Sequence, residues 1–301
     1  MTFKKVYIDI SGYCNAKCRW CVTYNDRHIK AKRGYLSPYD FSRILDRLTD
    51  IGAIDGSTLT VLHSWGEPTL NKDFPSITGL LSKNKIPWWY STNASVFPNA
   101  QECDFSSLTS LLISMPGFSQ SSYDKIHGFK FEDIVKNIEK YASLFNGAKP
   151  IQIAYHVYQF NIQEVFYAHA FTQKLKIGFM PYYAGFNNLE MGIKYLNYKL
   201  SSEYLYDAST QLELFYVREL ISKRPLKYVC PQLSFLVLDE FGNVLQCCVS
   251  SRTQKHYSIG SVFDLTLDEI IESREKSPAC IPCLNSGAAY WLSNPLIFRT
   301  K

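Results

Sequence analysis

The first two thirds of the chain alternate between short apolar runs and segments whose apolar residues recur at helical spacing. This alternation is typical of an α/β fold in which parallel strands are joined by helices. We predict strands at residues 5–10, 57–63, 86–92, 111–115, 151–158 and 176–181. A helix is expected after Ser37-Pro38, since serine caps helices and proline suits the first helical position. Further helices are expected at residues 74–83, 132–145 and 163–174.

The pattern changes after about residue 195. Residues 201–223 carry apolar positions at helical spacing and predict one helix. An alternating run at residues 235–238, a turn containing Gly242 and the apolar pair at 244–245 predict a hairpin, and a helix is expected from Leu267 to about Ser273. We therefore divide the chain into residues 1–195, a linker helix within residues 196–229, and a small α+β C-terminal module at residues 230–301.

Composition narrows the class of protein. The 301 residues suffice for one large core or two domains. Nine cysteines, in a chain that opens without an apolar signal sequence, favour metal ligation in a reducing cytoplasm over a disulfide framework. The longest apolar runs are strand-sized, below the ~18 residues of a membrane span, so we expect no membrane partner. The formal charge of +5 comes from scattered basic residues and does not indicate nucleic acid binding.

Three cysteines, Cys14, Cys18 and Cys21, directly follow the first predicted strand. Thiolate is the soft ligand that iron–sulfur clusters take, so three thiolates in one loop can hold three irons of a [4Fe–4S] cluster and leave the fourth iron open. A structural zinc site is the alternative. Zinc takes four ligands, usually from paired CxxC knuckles, whereas this loop supplies three.

This CxxxCxxC motif, with the aromatic Trp20 just before the third cysteine, resembles the signature of the radical S-adenosylmethionine (SAM) enzymes. The resemblance implies that SAM binds the open iron through its amino and carboxylate groups. It also implies reductive cleavage of SAM to a 5′-deoxyadenosyl radical that abstracts a substrate hydrogen. The implied fold is a partial (β/α)6 TIM-like barrel, whose active site lies at the carboxyl ends of the strands.

The end of the second predicted strand carries Gly66 and Glu67, followed by proline. This stretch resembles the family's Gly-Gly-Glu motif and implies that its backbone and carboxylate bind the amino group of SAM. Trp65 replaces the first glycine of that motif, which puts the local backbone angle in question. An ordinary turn after a strand is the alternative.

Later strand ends supply three further candidates for SAM contacts. Asn93 lies in Ser-Thr-Asn-Ala, which resembles the family's Thr-Asn-Gly with Ala94 in place of glycine. The resemblance implies that Ser114, ending the fourth strand, contacts the SAM carboxylate or ribose. It also implies that Met180, at the end of the sixth strand, lies against the adenine. Strand capping and core packing are the alternatives.

Alternation along the fifth predicted strand places Gln152 and His156 on the face opposite its apolar residues. The apolar residues are expected to face the helices, so His156 points into the barrel. We regard His156 as the candidate catalytic base, with Tyr158 behind it. A histidine satisfied within the core is the alternative.

Four cysteines recur late in the chain: Cys230, Cys247, Cys280 and Cys283. Their spacing, with Gly242 ahead of Cys247, resembles the SPASM and shorter twitch extensions of radical SAM enzymes. The resemblance implies one auxiliary [4Fe–4S] cluster held by all four thiols, since too few cysteines remain for the two clusters of the longer form. Zinc is the alternative occupant of a four-thiolate site.

Two cysteines are left without a ligand role. Cys103 has no partner in the sequence pattern and is interpreted as an inert thiol. Cys248 follows a predicted cluster ligand and is a candidate catalytic residue, because a thiol in the barrel mouth could return a hydrogen atom to a substrate radical. Packing, or a role as an alternative ligand, is the other interpretation.

These motifs predict a cytoplasmic radical SAM enzyme with two [4Fe–4S] clusters. We expect it to oxidise an alcohol carbon of a small molecule, such as a sugar or cyclitol, with the auxiliary cluster as electron acceptor and flavodoxin or ferredoxin as electron donor. We expect no recognition domain before the first strand, which favours that substrate class. Modification of a peptide or protein by oxidation, epimerisation or cross-linking is the alternative. A zinc-binding interaction module is a third interpretation.

Overall fold

The computed structural model of the protein describes residues 2–26, 29, 32–295 and 297. Within this part of the chain, nine strands form a single sheet in the order β6-β5-β4-β3-β2-β1-β7-β8-β9. Strands β1 to β6 pair in parallel, which confirms the predicted α/β class and its parallel core. The strands are β1 Lys5–Ile8, β2 Leu59–Val61, β3 Trp88–Thr92, β4 Leu108–Met115, β5 Ile151–Val157, β6 Gly178–Tyr183, β7 Phe235–Leu238, β8 Asn243–Leu245 and β9 Ser258–Ser261.

Helices connect the parallel strands, as the alternation predicts. Ser37 caps α2 as expected, because its hydroxyl accepts a hydrogen bond from the Asp40 amide. The helices of the described chain are α1 Val22–Asn25, α2 Pro38–Asp50, α3 Phe74–Lys83, α4 Gln120–Lys125, α5 Phe131–Phe145, α6 Val165–Leu175, α7 Leu189–Leu196, α8 Ser202–Ser209, α9 Phe215–Ser222, α10 Leu267–Glu275, α11 Cys280–Ser286 and α12 Ala288–Ser293.

The prediction of one helix over residues 201–223 is wrong, because the segment breaks into α8 and α9. Gln159 supplies the reason. Its side-chain amide donates hydrogen bonds to the carbonyls of Ser209 and Leu212, and its backbone amide donates to the carbonyl of Gln211. These three carbonyls accept hydrogen bonds from Gln159, which favours a turn over continuation of the helix.

The C-terminal module continues the sheet of the barrel. Strand β7 pairs in parallel with β1 on the side opposite β2, while β7 and β8 form the predicted antiparallel hairpin. The turn of this hairpin has Gly242 at a φ of 78°, a conformation that glycine adopts without strain. The module therefore lies directly beside the strand that leads to the first cysteine motif. The proposed domain boundaries stay predictions.

The largest apolar cluster packs the sheet against helices α2, α3, α5 and α6. A second cluster joins α7, α8, α9 and α12 to the loop of the first cysteine motif through Trp20. In the described part of the chain, no helix combines the length and the apolarity needed to cross a membrane.

Candidate active site

The first cysteine motif follows the carboxyl end of β1, where three other parts of the chain hold its backbone. The amide of Glu67 donates to the carbonyl of Tyr13 at 2.8 Å, and the amide of Lys17 donates to the carbonyl of His127 at 3.0 Å. Asn187, shortly after β6, exchanges backbone hydrogen bonds with Trp20 and Val22 at 2.9 Å each. The loop is thus fixed from β2, from the turn after α4 and from the segment after β6.

Two amide side chains lie against thiols of this motif. The Nδ2 of Asn93 is 3.9 Å from Sγ of Cys14, and the Nδ2 of Asn187 is 3.7 Å from Sγ of Cys21. Sequence reasoning missed Asn187. Its position just after the sixth strand, at the same edge of the sheet as the cysteines, is the signal that could have identified it. Both amides can stabilise a thiolate by donating to its sulfur.

The turn after β2 lies directly against the cysteine loop. The amides of Ser64 and Trp65 donate to the Asp9 carboxylate at 2.6 and 3.1 Å. A Cβ on Gly66 would overlap the carbonyl of Ser11, so the backbones pack in direct contact there. Trp65, like Gly66, has a negative φ, which shows that the bulky residue needs no unusual backbone angle. Its indole packs against Val22 and the C-terminal hairpin.

The carboxylate of Glu67 joins the ends of β2 and β3. Its Oε1 accepts from the amide and hydroxyl of Thr69 at 3.2 and 2.7 Å and from the hydroxyl of Thr92 at 2.7 Å. Its Oε2 accepts from the amide of Asn93 at 2.7 Å. Burial raises the pKa of Glu67, and these hydrogen bonds oppose the rise. Contact of Glu67 with SAM stays a prediction. Oε2 of Glu67 can accept a hydrogen bond from one further donor.

Asn93 lies between β3 and the cysteine loop. Besides Cys14, its Nδ2 contacts Oδ1 of Asn15 at 3.0 Å, and its Oδ1 accepts from the amide of Ser95 at 2.9 Å. Ala94, where the related motif has glycine, has a φ of 56°. A left-handed conformation favours glycine, so Ala94 is held there against its preference.

Ser114, His156 and Tyr182 meet on the inner face of the barrel. The hydroxyl of Tyr182 is 2.6 Å from Nε2 of His156, and the hydroxyl of Ser114 is 3.4 Å from the same nitrogen. Burial lowers the pKa of His156 to about 4 and raises that of Tyr182. Both groups are therefore neutral near pH 7, and the Tyr182 hydroxyl donates to Nε2 in the tautomer of His156 that carries its proton on Nδ1. The charge of Cys18 adds to the rise at Tyr182, which places this group near the first motif.

Met180 and Trp20 are two further residues predicted to contact SAM. The prediction that Met180 ends the sixth strand is wrong, because β6 continues to Tyr183 and Met180 lies within it. Met180 lines a cavity of about 840 Å³ with Lys5 and Leu59, the first residues of β1 and β2, and thus near the amino ends of the strands. Trp20 is buried with its ring near those of Phe186 and Tyr204. Their contacts with SAM stay predictions.

The late cysteines lie around one cavity of about 250 Å³, which all four predicted ligands line: Cys230, Cys247, Cys280 and Cys283. Burial, and then the charges of Cys247, Cys230 and Cys280, raise the pKa of Cys283. Gln246 donates to Sγ of Cys280 at 3.1 Å. Among the described residues, no three Cys, His, Asp or Glu side chains converge closely enough to ligate a single metal ion.

A buried guanidinium that sequence reasoning missed borders this cavity. Arg274 is 1% exposed and donates to the carbonyls of Gln232, at 2.7 Å, and of Gln246, at 3.2 Å. Four soft donors around one cavity, with a positive charge beside them, are the donor set of an anionic iron–sulfur cluster, whereas a single zinc ion would need the thiols closer together. No sequence signal marks Arg274, which lies within an otherwise ordinary amphipathic helix.

The two remaining cysteines do not line this cavity. The thiol of Cys248 donates to Oε1 of Gln232 at 3.1 Å and packs in the cluster that contains Trp65. Burial raises the pKa of Cys248 to about 12, so the thiol stays protonated near neutral pH. Cys103 packs against the main core, and burial raises its pKa to about 11.

The first half of the chain is similar to a known protein family. Residues 8–157 match the family model of the Radical SAM superfamily. This match covers the first cysteine motif, the turn at Gly66 and the strands up to β5. No curated protein sequence matches the chain.

Several solved structures share its fold. SuiB of Streptococcus suis, bound to precursor peptide SuiA, aligns with a TM-score of 0.63 and 16% identity over 92% of this chain and 65% of SuiB. The structure of anSMEcpe with bound AdoMet aligns with a TM-score of 0.57 and 17% identity, over 91% and 82% of the two chains. BtrN in complex with AdoMet and 2-DOIA gives 0.50 and 13%, over 92% and 87%. This chain thus spans about 65% of the length of SuiB.

Proposed function

Since residues 8–157 form a radical SAM domain, we propose that this protein is a radical SAM enzyme that oxidises an alcohol carbon of a small molecule such as a sugar or cyclitol. In this proposal Cys14, Cys18 and Cys21 hold a SAM-binding [4Fe–4S] cluster, and the four late thiols hold an auxiliary one. The observation that carries the proposal is that a complete four-thiol set adjoins the sheet of the radical SAM domain.

The groups that the chain would hold supply the hydrogen and electron transfer. SAM and a cluster held by Cys14, Cys18 and Cys21 would supply the chemistry for removing a hydrogen atom from the substrate carbon, and a cluster held by the four late thiols would supply an acceptor for the remaining electron. The contacts of Gly66 and Asn93 with the cysteine loop keep the strand ends in a fixed relation to the thiols. Rigid placement matters because a carbon radical attacks any hydrogen within reach.

Oxidation of an alcohol to a carbonyl also releases the hydroxyl proton, for which the chain needs a base. Nε2 of neutral His156 lies 2.6 Å from the Tyr182 hydroxyl and accepts its hydrogen bond when the imidazole is protonated on Nδ1. Tyr182 can therefore take a proton from the substrate hydroxyl while passing its own proton to His156. Together with the hydrogen atom and the electron, this proton completes a two-electron oxidation. Flavodoxin or ferredoxin is the proposed source of the reducing electron.

The test is anaerobic purification and reconstitution, followed by metal analysis and incubation with SAM, reductant and a panel of polyols and cyclitols. We expect about eight irons per chain if both clusters are [4Fe–4S], release of 5′-deoxyadenosine, and a new carbonyl product in the mass spectrum. A variant with Cys14→Ala, Cys18→Ala and Cys21→Ala should lose about half the iron and all SAM cleavage.

The same experiment separates the competing functions. Zinc at both sites, with no 5′-deoxyadenosine formed, would overturn the enzyme proposal in favour of a zinc-binding module. If the alcohols do not react but peptides gain a cross-link, an oxidation or an inverted centre, the peptide-modifying alternative replaces the first proposal. In that case Cys248→Ser should consume SAM without inverting the product of an epimerisation.

A further inference from the structure

A cluster of three buried charges joins the C-terminal module to the turn that precedes Glu67. The Arg252 guanidinium hydrogen-bonds both oxygens of Glu240, and its Nη1 lies 4.0 Å from Oδ2 of Asp9. The three side chains are 7%, 0% and 1% exposed, in the order Arg252, Glu240 and Asp9. A single buried arginine thus faces two buried acidic side chains. Burial raises the pKa of both acids, and the charge of Arg252 opposes that rise.

Asp9 lies between Arg252 and the turn at Gly66. Its carboxylate accepts the amides of Ser64 and Trp65 at 2.6 and 3.1 Å, while the amide of Gly66 lies 3.5 Å away. Three successive amides therefore point at one carboxylate, which fixes the backbone of the turn. Arg252 faces Oδ2 of Asp9 at 4.0 Å, beyond hydrogen-bond distance, so it acts on this carboxyl group through its charge.

Glu240 lies between Arg252 and the start of the cysteine loop. Its Oε1 accepts the amide of Gly34 at 3.0 Å. A Cβ on Gly12 would overlap this carboxylate, so the loop backbone two residues before Cys14 packs directly against Glu240. Arg252 therefore contacts two acidic side chains that pack near the first motif. Asp9 binds the turn at Gly66, and Glu240 packs against the backbone at Gly12.

The segment that carries Arg252 begins at a thiol of the late site. Cys247 starts a tight turn in which the hydroxyl of Ser250 donates to the Cys247 carbonyl at 2.7 Å. The hydroxyls of Ser251 and Thr253 then donate to Oδ2 of Asp26 at 2.6 and 2.8 Å. Asp26 ends α1, directly after the first motif. Residues 247–253 thus connect the late thiol site with two sides of the early one.

We propose that Arg252 is a positioning residue for SAM: from the C-terminal module it fixes the Ser64–Gly66 turn and the approach to Cys14, so that SAM affinity depends on it. This inference rests on the proposed function, because it takes the turn at Gly66 as part of the SAM site. Arg252 itself contacts carboxylates of the chain and is not a catalytic residue.

Arg47 provides a matched control. It also joins the barrel to the C-terminal module, since its Nε and Nη2 donate to the carbonyls of Val262 and Leu265 at 3.1 and 2.9 Å. These contacts involve neither Asp9 nor Glu240. Arg47→Met therefore removes a comparable arginine contact between the two parts of the chain and leaves the turn at Gly66 intact.

The test compares wild type, Arg252→Met, Arg252→Lys and Arg47→Met as anaerobically reconstituted proteins with equal iron content. Equilibrium dialysis with labelled SAM gives the affinity, and hydrogen exchange gives the protection of the amides at residues 64–66. Arg252→Met should weaken SAM binding by about tenfold or more, or ~1.4 kcal/mol, and speed exchange of the turn. Arg252→Lys keeps the charge but not the paired hydrogen bonds, so it should be intermediate. Arg47→Met should match wild type in both measurements.

The outcomes distinguish the two proposals. If wild type binds SAM and folded Arg252→Met or Arg252→Lys binds it equally well, the role of Arg252 is wrong while the proposed function stands. If Arg47→Met weakens SAM binding as much as Arg252→Met, the effect is general destabilisation and the inference again fails. If wild type itself binds no SAM, the proposed function fails, and the inference fails with it.

Discussion

At residue scale, the closest backbone approach in the candidate site occurs at Gly66. The carbonyl of Ser11 occupies the space that a side chain at this position would need, and the carbonyl of Tyr13 lies close by. The need for glycine here is therefore steric, since its φ lies in the ordinary negative range. Glycine permits two backbones to touch, and this contact joins the turn after β2 to the cysteine loop.

Gly66→Ala should abolish SAM binding and lower the free energy of unfolding by about 1–3 kcal/mol or more, because backbone atoms must move to admit the methyl group. Gly79→Ala is the control. Gly79 lies in α3 with no atom near its added Cβ, so alanine there should stabilise the protein by about 0.5–1 kcal/mol. Urea unfolding and equilibrium SAM binding measure the two effects. Normal SAM affinity in folded Gly66→Ala would contradict the assignment of this turn.

At element scale, the carboxyl ends of β2 and β3 are joined through the side chain of Glu67. Neighbouring strands pair over few residues here, since β2 spans Leu59–Val61 and its register with β3 covers two residue pairs. The hydrogen bonds of Glu67 to Thr69, Thr92 and Asn93 extend the connection beyond the last backbone pair. A buried carboxylate thus continues the sheet where the backbone ladder stops.

Glu67→Gln should lower the free energy of unfolding by about 1–3 kcal/mol, because the new amide group would face the backbone N–H of Asn93 and leave that donor unpaired. Glu102→Gln is the control, since Glu102 is exposed and bonds the side chain of Asn99. It should change stability by less than about 0.5 kcal/mol. Chemical denaturation of both variants checks this. Equal stability of the two would show that the Glu67 network does not stabilise the strand ends.

At the scale of the whole molecule, strands of one sheet lead to the early cysteine motif and to Cys247 of the late site. The parallel pairing of β7 with β1 places the hairpin leading to Cys247 beside the strand leading to Cys14.

The fold as a whole also surrounds three histidine side chains. Burial lowers the pKa of His63 to about 3, that of His127 to about 3 and that of His156 to about 4. The folded barrel therefore contains three histidines that burial keeps neutral near pH 7 in the resting protein.

These histidines predict acid sensitivity. Their pKa values are lower in the folded chain than in the unfolded chain, where histidine titrates near 6.5. Their contribution to stability is complete above pH 6.5. It is lost as the pH falls toward 4, because protons then bind the unfolded chain preferentially. For His156 alone the loss should be about 3 kcal/mol.

Thermal unfolding at several pH values tests this prediction. His156→Gln, whose amide oxygen can still accept from Tyr182, should show a smaller loss of stability between pH 6.5 and 4 than wild type. His256→Gln serves as the control, because His256 is exposed, and it should keep the wild-type slope. Identical slopes in wild type and His156→Gln would show that His156 titrates normally in the folded protein.

The sequence by itself determined the features that depend on short-range pattern. The spacing of Cys14, Cys18 and Cys21, the alternation of strands and helices, α3 and the hairpin of β7 and β8 all follow from residues close together in the chain. Periodicity and turn chemistry are local properties, so they can be identified without knowledge of the packing.

Tertiary structure alone decided which distant groups meet. It placed Asn187 beside Cys21, broke the helix at residues 210–214 through Gln159, and brought Arg252 to Asp9. It also left Met180 within its strand and set Arg274 beside the four late thiols, whose roles as ligands stay predictions. Contacts between residues so far apart depend on how the sheet and helices pack, and no local pattern of polar and apolar residues encodes that arrangement.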